Sequence, residues 1–419
     1  MAAKSQVVEL ANQVGTLVAG LLEEWDKRPS EQPPFDSTVW SELATQLQSA
    51  TELLTSLTTP PASFVRTLQL RHYDLVAYQI ALEFDLFTAI PIGLTATLPA
   101  IANHSGLDCG RAGRTLRLLA LHGVFRETEE DTFGHTPQST LIAQDESIRS
   151  ALAIQMCEMY QAASSTADAI QSVVKENKDI SPFAARFGVP IYDYYQKHPE
   201  KADRFSLGMK GAMELDKDSL VDLQNSYPWA QFQGGTVVDV GGGTGHVSRF
   251  LAKTDKLHSQ DLPSVSFAVQ DILVPQTLEN TTNVKFHQHD FFQPQPSTPD
   301  AKAFLLRHVL HNYEDKDCIR ILSALVPALE AQGETASPVL LINEGVVPEF
   351  GELSARDLHL TLRRGDLCMM VTLSAQERTR NQFQSLLSAA DPRLQIRGVY
   401  GSGVTRLIEV HLNSGASTA

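Results

Sequence analysis

Apolar residues change their spacing along this chain, and the changes divide it. From about residue 5 to 29 they recur at helical intervals within "SQVVELANQVGTLVAGLLEEW", which predicts an amphipathic helix. The stretch has no basic start and carries Glu9, Glu23 and Glu24, so it does not read as a signal peptide. "EQPPFD" breaks the pattern, a second helical stretch covers about 38–58, and Pro60-Pro61 ends it. Helical spacing resumes from about 63 to 90. "LPAIANHSGL" and "RAGRTLRLLALHG" then predict two short helices, each stopped by a glycine, and "VFRETEEDTFGHT" a hairpin around an acidic turn. That order is the outline of a winged helix. Residues 150–215 again read as helical, with breaks at "ISPFAARFGVP" and His198-Pro199.

From Gly234 the period shortens. "TVVDV", "VSFAVQD", "VKFHQHDF", "AFLLRHVL", "PVLLINEGVVP" and "IEVHL" are β-branched or apolar runs separated by helical patterns. Alternation of this kind predicts an α/β fold, a mostly parallel sheet with helices on both faces. We expect two units, a mainly helical region over 1–195 and a sheet domain over 196–419. No internal repeat or low-complexity tract interrupts either.

Composition narrows the function more than the fold. The 419 residues carry 34 Lys and Arg against 49 Asp and Glu, a net charge of −15. Nucleic-acid binding rests on neutralising phosphates, so this balance argues against such a partner. It also outweighs the shared face of Arg111, Arg114 and Arg117 on the second helix of the winged-helix outline. No apolar run reaches the roughly 18 residues of a membrane span. Cys109, Cys157, Cys318 and Cys368 are widely separated and form no CxxC pair. They read as reduced thiols of a cytoplasmic protein rather than disulfides or zinc ligands.

The candidate chemistry begins at "VVDVGGGTGHVS", residues 237–248. Gly241, Gly243 and Gly245 alternate with other residues, whereas the dinucleotide fingerprint places its third glycine where His246 stands. No Lys-Ser/Thr pair follows at the distance a triphosphate loop needs. The glycines still let the backbone turn sharply beside a ligand. Asp239 precedes them near a strand's carboxyl end, and a carboxylate there suits a cationic or amine-bearing small molecule. "FHQHDFF" offers His287, His289 and Asp290, but their alternation puts them on opposite strand faces, so no metal site is expected.

This loop resembles motif I of the class I S-adenosylmethionine-dependent methyltransferases. The segment "AFLLRHVLHNYEDKDCIRIL" resembles the plant and fungal small-molecule O-methyltransferase family, known from caffeic acid and flavonoid O-methyltransferases. The likeness covers about 60–415 in the family's motif order. It implies a Rossmann-like methyltransferase domain behind an N-terminal winged-helix dimerisation domain, hence a homodimer. The first 60 residues read as helices suited to wrap a partner subunit.

The resemblance also implies roles. S-adenosylmethionine is the implied cofactor, held by Asp239, Gly241, Gly243, Gly245, Asp271, Asp290, Phe291 and Arg307. Asp271 ends the second strand and would bind ribose hydroxyls, with Asp261 a weaker candidate in the loop "KTDKLHSQDLP". Asp290 and Phe291 would flank the adenine. His311, the histidine of "LHNY", takes the family's general-base position, with Glu344 and Glu377 as the acids that orient it. Met369 and Met370 match residues that line the acceptor pocket. Tyr313 replaces the family's usual Trp, and Asn312 its usual Asp. His308 is expected to lie inside the strand, facing away from His311.

The activity so implied is methyl transfer to a hydroxyl of a small secondary metabolite. A phenol has a pKa of about 10 and histidine one of about 6.5, so a neutral imidazole in hydrogen-bond reach can take the proton as attack proceeds. Some fungal members keep the cofactor pocket but catalyse pericyclic or dehydrative reactions without net methyl transfer. That is the alternative expectation; retention of His311 and both glutamates favours methyl transfer.

Overall fold

The computed structural model describes residues 2–413 except 28–32, 177–179, 254–264, 272–278, 297, 299, 331–336 and 353–355. Asp261 and most of "KTDKLHSQDLP" therefore lie outside the described residues.

The chain begins with two long helices, Ala2–Asp26 and Thr38–Thr58, which close over Leu10, Leu17 and Ala50. Ser37 starts the second. Its hydroxyl accepts from the Trp40 amide and donates to Glu24 at 2.6 Å. A short helix, Pro61–Leu68, buries none of its residues. After the helix His72–Glu83 come strand β1 (Thr95–Thr97), helices Leu98–Ser105 and Cys109–Leu121, and the hairpin β2 (Phe125–Glu129) and β3 (Thr132–His135). Gly106, at φ +71°, makes the turn between the two helices, and Asp108 caps the second. The sheet runs β1-β3-β2, all antiparallel, over a core of Phe87, Ile101, Leu116, Phe125 and Phe133. Three residues are too few to show an alternation, so β1 was not visible in the sequence.

Helices then join this unit to the sheet domain. Pro199–Leu215 lies on the sheet-domain side of the expected boundary, yet packs most closely on Glu146–Ile154. A Cβ at Gly211 would come within 2.1 Å of the Ser147 carbonyl oxygen, so glycine sets this close approach. Ile154, Met159 and Tyr195 share a core with Val371 of the helix Arg356–Leu373, which fastens the helical region to the sheet domain.

The large sheet comprises β4 (Thr236–Val240), β5 (Ser266–Asp271), β6 (Val284–Gln288), β7 (Ala301–Arg307), β8 (Val339–Val347), β9 (Arg378–Thr379), β10 (Leu394–Tyr400) and β11 (Thr405–Leu412). The order is β10-β11-β8-β7-β4-β5-β6, with β9 paired to the end of β8. Only β11 runs antiparallel to its neighbours. The sequence reading missed β10 because a bulge at Ile396–Gly398 and the charged Arg397 break its alternation. Both faces of the sheet are covered. Val238, Val240, Phe304 and Leu306 fill one core, and Val237, Ala303, Leu305 and Val269 the other. The strand order reverses at β4, flanked by β5 and β7, and in open α/β sheets ligands bind at the carboxyl ends beside such a reversal.

Candidate active site

The glycine loop leaves β4 at that point. Gly241, Gly243 and Gly245 all have positive φ. A side chain at Gly241 or Gly245 would strike Val309 or the Phe286 ring, at 2.9 Å and 2.7 Å. Gly243 opens onto free space, and its amide donates to Asp271 Oδ2 at 3.1 Å. The end of β5 and the loop are thus brought together, as the position of Asp271 requires. The amides of Gly241 and Gly242 donate to the Gln270 carbonyl.

Asp239 is buried below the loop and accepts from Ser248 at 2.6 Å. Burial pushes its carboxyl up to about 6, against the opposing pulls of Ser248 and Arg307. A buried carboxylate held up in this way lacks a full counter-charge. That fits a cationic ligand in the cavity it lines, which spans about 470 Å³ with the loop, His246, Arg307, His308, His311 and Met369 around it. Phe291 lies against the same loop, about 3.5 Å from where a Gly241 Cβ would stand. Asp290 accepts from the Phe292 amide and holds that turn closed.

His311 stands on a one-turn 3₁₀ helix, Leu310–Asn312, just beyond β7. Its Nδ1 lies 2.9 Å from Glu377 Oε1 and 3.7 Å from Glu344 Oε2. The three residues come from β7's end, β8 and the start of β9, so 66 positions of sequence separate His311 from Glu377. Glu344 is fully buried. Its Oε1 accepts from the amides of Val309 and Leu310, while Oε2 has no hydrogen-bond partner. Burial pushes Glu344 up, opposed by His311. Burial works to lower His311, but Glu344 and Glu377 together outweigh it, and the imidazole is raised above the ordinary histidine range.

Two neighbours of His311 have places that the sequence did not show. Arg378, directly after Glu377, is 1 % exposed. It donates to the carbonyls of Leu310 and Tyr313 and to Asp315, so it clamps both sides of the turn that carries His311. The "AQERT" pattern contains this arginine, but nothing in its spacing shows what it grips. His308 corrects an expectation. β7 ends at Arg307, and His308 takes a left-handed φ of +51°. That rotation cancels the strand alternation and stacks its ring on His311, with centroids 5.2 Å apart.

Arg307 faces the same cavity but is already engaged by Asn343, by Ser219 at 2.7 Å and by Asp216 at 3.5 Å. It pins the start of the helix Lys217–Ser226 to the sheet. Met369 lines the cavity, whereas Met370 lines a separate surface depression near Glu314 and Gln376. Helical rotation of about 100° per residue accounts for the difference. Met209 and Met213, one turn apart on Pro199–Leu215, face Met369's cavity from the other side. Their i, i+4 spacing was a legible signal that the sequence reading did not use.

Residues 166–391 match the O-methyltransferase domain. O-methyltransferase sol2 of Alternaria solani is 34 % identical over 98 % of this chain and 96 % of its own length. The chain belongs to the O-methyltransferase family, whose enzymes use S-adenosylmethionine as methyl donor. In fold it is similar to OxaC, with a TM-score of 0.74 and 20 % identity over 98 % of this chain and all of that one. It is also similar to a structure described as a pericyclic reaction enzyme, with a TM-score of 0.71 and 19 % identity over 96 % of this chain and all of that one.

Proposed function

We propose that the protein methylates a hydroxyl of a small secondary metabolite, with His311 as general base. One observation carries the reading: the His311 Nδ1 lies 2.9 Å from Glu377, in the same cavity as the glycine loop. Because Nδ1 faces a carboxylate, it carries the ring proton, and Nε2 is left as the basic nitrogen. Glu377 holds that tautomer, and Glu344 stabilises the imidazolium that forms. Two backbone amides occupy Glu344 Oε1, which suits a fixed charge better than a mobile ligand.

The residues present fit S-adenosylmethionine. Asp239, Asp271 and the glycine loop would hold its amino-acid and ribose portions, and Asp290 and Phe291 its base. The bound cofactor supplies an electrophilic methyl carbon. The chain's own part is to place the acceptor hydroxyl against His311 Nε2, take its proton and keep the approach collinear, which can supply much of the rate. Met209, Met213 and Met369 give the acceptor side soft, apolar walls that suit an aromatic ring.

His311→Ala should abolish methyl transfer and leave cofactor affinity within about twofold, measured by radiolabelled transfer and by calorimetry. Retained transfer would remove His311 from the base role. A cyclase with the same fold is the competing reading. Substrate conversion without release of S-adenosylhomocysteine would establish it in place of methyl transfer.

A further inference from the structure

Four non-glycine residues have left-handed φ among the described residues: Asp85, Asp131, His308 and Ser374. Asp85 and Asp131 are exposed and Ser374 is half-buried. His308 is the one of the four that lies beside His311; histidine adopts this region more often than most residues, yet such a backbone still costs on the order of 1–2 kcal/mol. The surroundings hold it firmly. Its amide donates to the Asn343 carbonyl at 3.2 Å, and its carbonyl accepts from Asn312 Nδ2 at 3.1 Å. Its ring nitrogen Nε2 lies 3.3 Å from the Thr405 hydroxyl. Two elements thus fix the backbone of His308 and a third its ring, and that ring lies 24° from parallel with His311.

We propose that His308 is a positioning residue, a fixed plate that keeps the His311 ring in the plane of its hydrogen bond to Glu377. The proposal rests on the reading of His311 as the base. A hydrogen bond from an imidazole N–H is strongest when its acceptor lies along the N–H direction, so rotation of the ring out of that line weakens it. His311 sits at the mouth of a short 3₁₀ turn and has the cavity on one side. The His308 ring, which lines the same cavity, stacks on one face of the imidazole. The plate must also be neutral, since a cation there would oppose both the imidazolium and the cationic cofactor. Burial, followed by the charges of Arg307, His311 and His246, holds His308 well below the ordinary histidine range. Asn312 acquires a role in the same arrangement. Where the family usually has Asp, its amide can donate to the His308 carbonyl, which a carboxylate cannot.

Two variants test this. His308→Phe keeps a flat ring. His308→Asn tolerates the left-handed backbone but removes the ring. The first measurement needs no acceptor. Enzyme with ¹⁵N-labelled histidine and bound S-adenosylhomocysteine is examined by NMR for the downfield Nδ1 proton of His311. We expect the signal in wild type and His308→Phe and its loss in His308→Asn, with all three folded by thermal melting. The second measurement is methyl transfer to catechol and a naphthol as probe phenols. His308→Asn should lower kcat on the order of 10- to 100-fold, more than it changes the KM for S-adenosylmethionine, and His308→Phe should restore most of the rate. An unaltered His311 signal and rate in His308→Asn would overturn the proposal and leave His308 as packing. If wild type transfers no methyl group to any phenol, the proposed function loses support, and the NMR measurement still decides whether His308 positions His311.

Discussion

Glu377 and Glu344 set where His311 titrates, and the sign of their effect is testable. A base must be neutral to act, so activity falls as pH falls through the His311 pKa. That pKa is raised from its ordinary 6.5, chiefly by Glu344 and then Glu377 against the opposing pull of burial. The acidic limb of kcat/KM should therefore lie above that value. Glu377→Gln removes a negative charge and the acceptor of the Nδ1 proton. It should shift the limb to lower pH while lowering kcat by about 10²-fold or more, as the tautomer is no longer fixed. A limb that stays in place would separate Glu377 from the titration. Asp239 gives a second pH effect in the same cavity. Burial pushes its carboxyl up to about 6, and only the ionised form attracts a cation. Cofactor affinity measured by calorimetry should weaken as pH drops below about that value. Asp239→Asn should be weak throughout and lack this dependence.

At the scale of elements, the site depends on contacts between segments that are each short. Arg378 ties β9 to the turn bearing His311 through two carbonyls and one carboxylate. Arg378→Lys keeps a charge but loses the planar fork. The carbonyls of Leu310 and Tyr313 lose donors, so it should cost about 1–3 kcal/mol by denaturant titration and lower kcat with cofactor affinity unchanged. Gly211 marks the crossing of Pro199–Leu215 and Glu146–Ile154. Gly211→Ala would place a methyl group against backbone, with no flexible side chain to yield, and should cost about 2 kcal/mol. The helix it displaces carries Met209 and Met213, so the KM for acceptor should rise as well.

At the scale of the molecule, the described N-terminal helices leave apolar side chains exposed. Pro61–Leu68 buries no residue, and Phe64, Val65 and Leu68 are each more than half exposed, with Leu70 and Tyr73 alongside. A contiguous apolar surface of this kind marks an interaction site. The homodimer that the family resemblance implies is an expectation that this surface allows to be tested. If that expectation holds, wild type runs as a dimer in light scattering and Phe64→Asp with Leu68→Asp as a monomer; a monomeric wild type would overturn it. Arg117 does not support a nucleic-acid alternative, because Glu127 and Asp131 already hold it at 2.7 Å and 2.6 Å.

Periodicity alone determined the larger elements. The two long N-terminal helices, the helix–turn–helix with its hairpin and the apolar strands are local patterns that a single segment carries. The glycine loop and "LHNY" were legible for the same reason, since backbone freedom and a fixed motif are properties of adjacent residues. β1, β9 and β10 were not, because their pairing comes from neighbours distant in sequence rather than from their own alternation. The site divides in the same way. Asp239, His311, Glu344 and Glu377 could be named in advance, but their distances could not. The tertiary structure alone decided that the end of β7, the middle of β8 and the start of β9 meet, that Arg378 grips the turn carrying His311 and that Met370 points elsewhere. It also decided the place of His308, whose strand pattern pointed away from His311. One left-handed residue reverses a side chain's direction, and contacts from three separate segments are needed to hold it there.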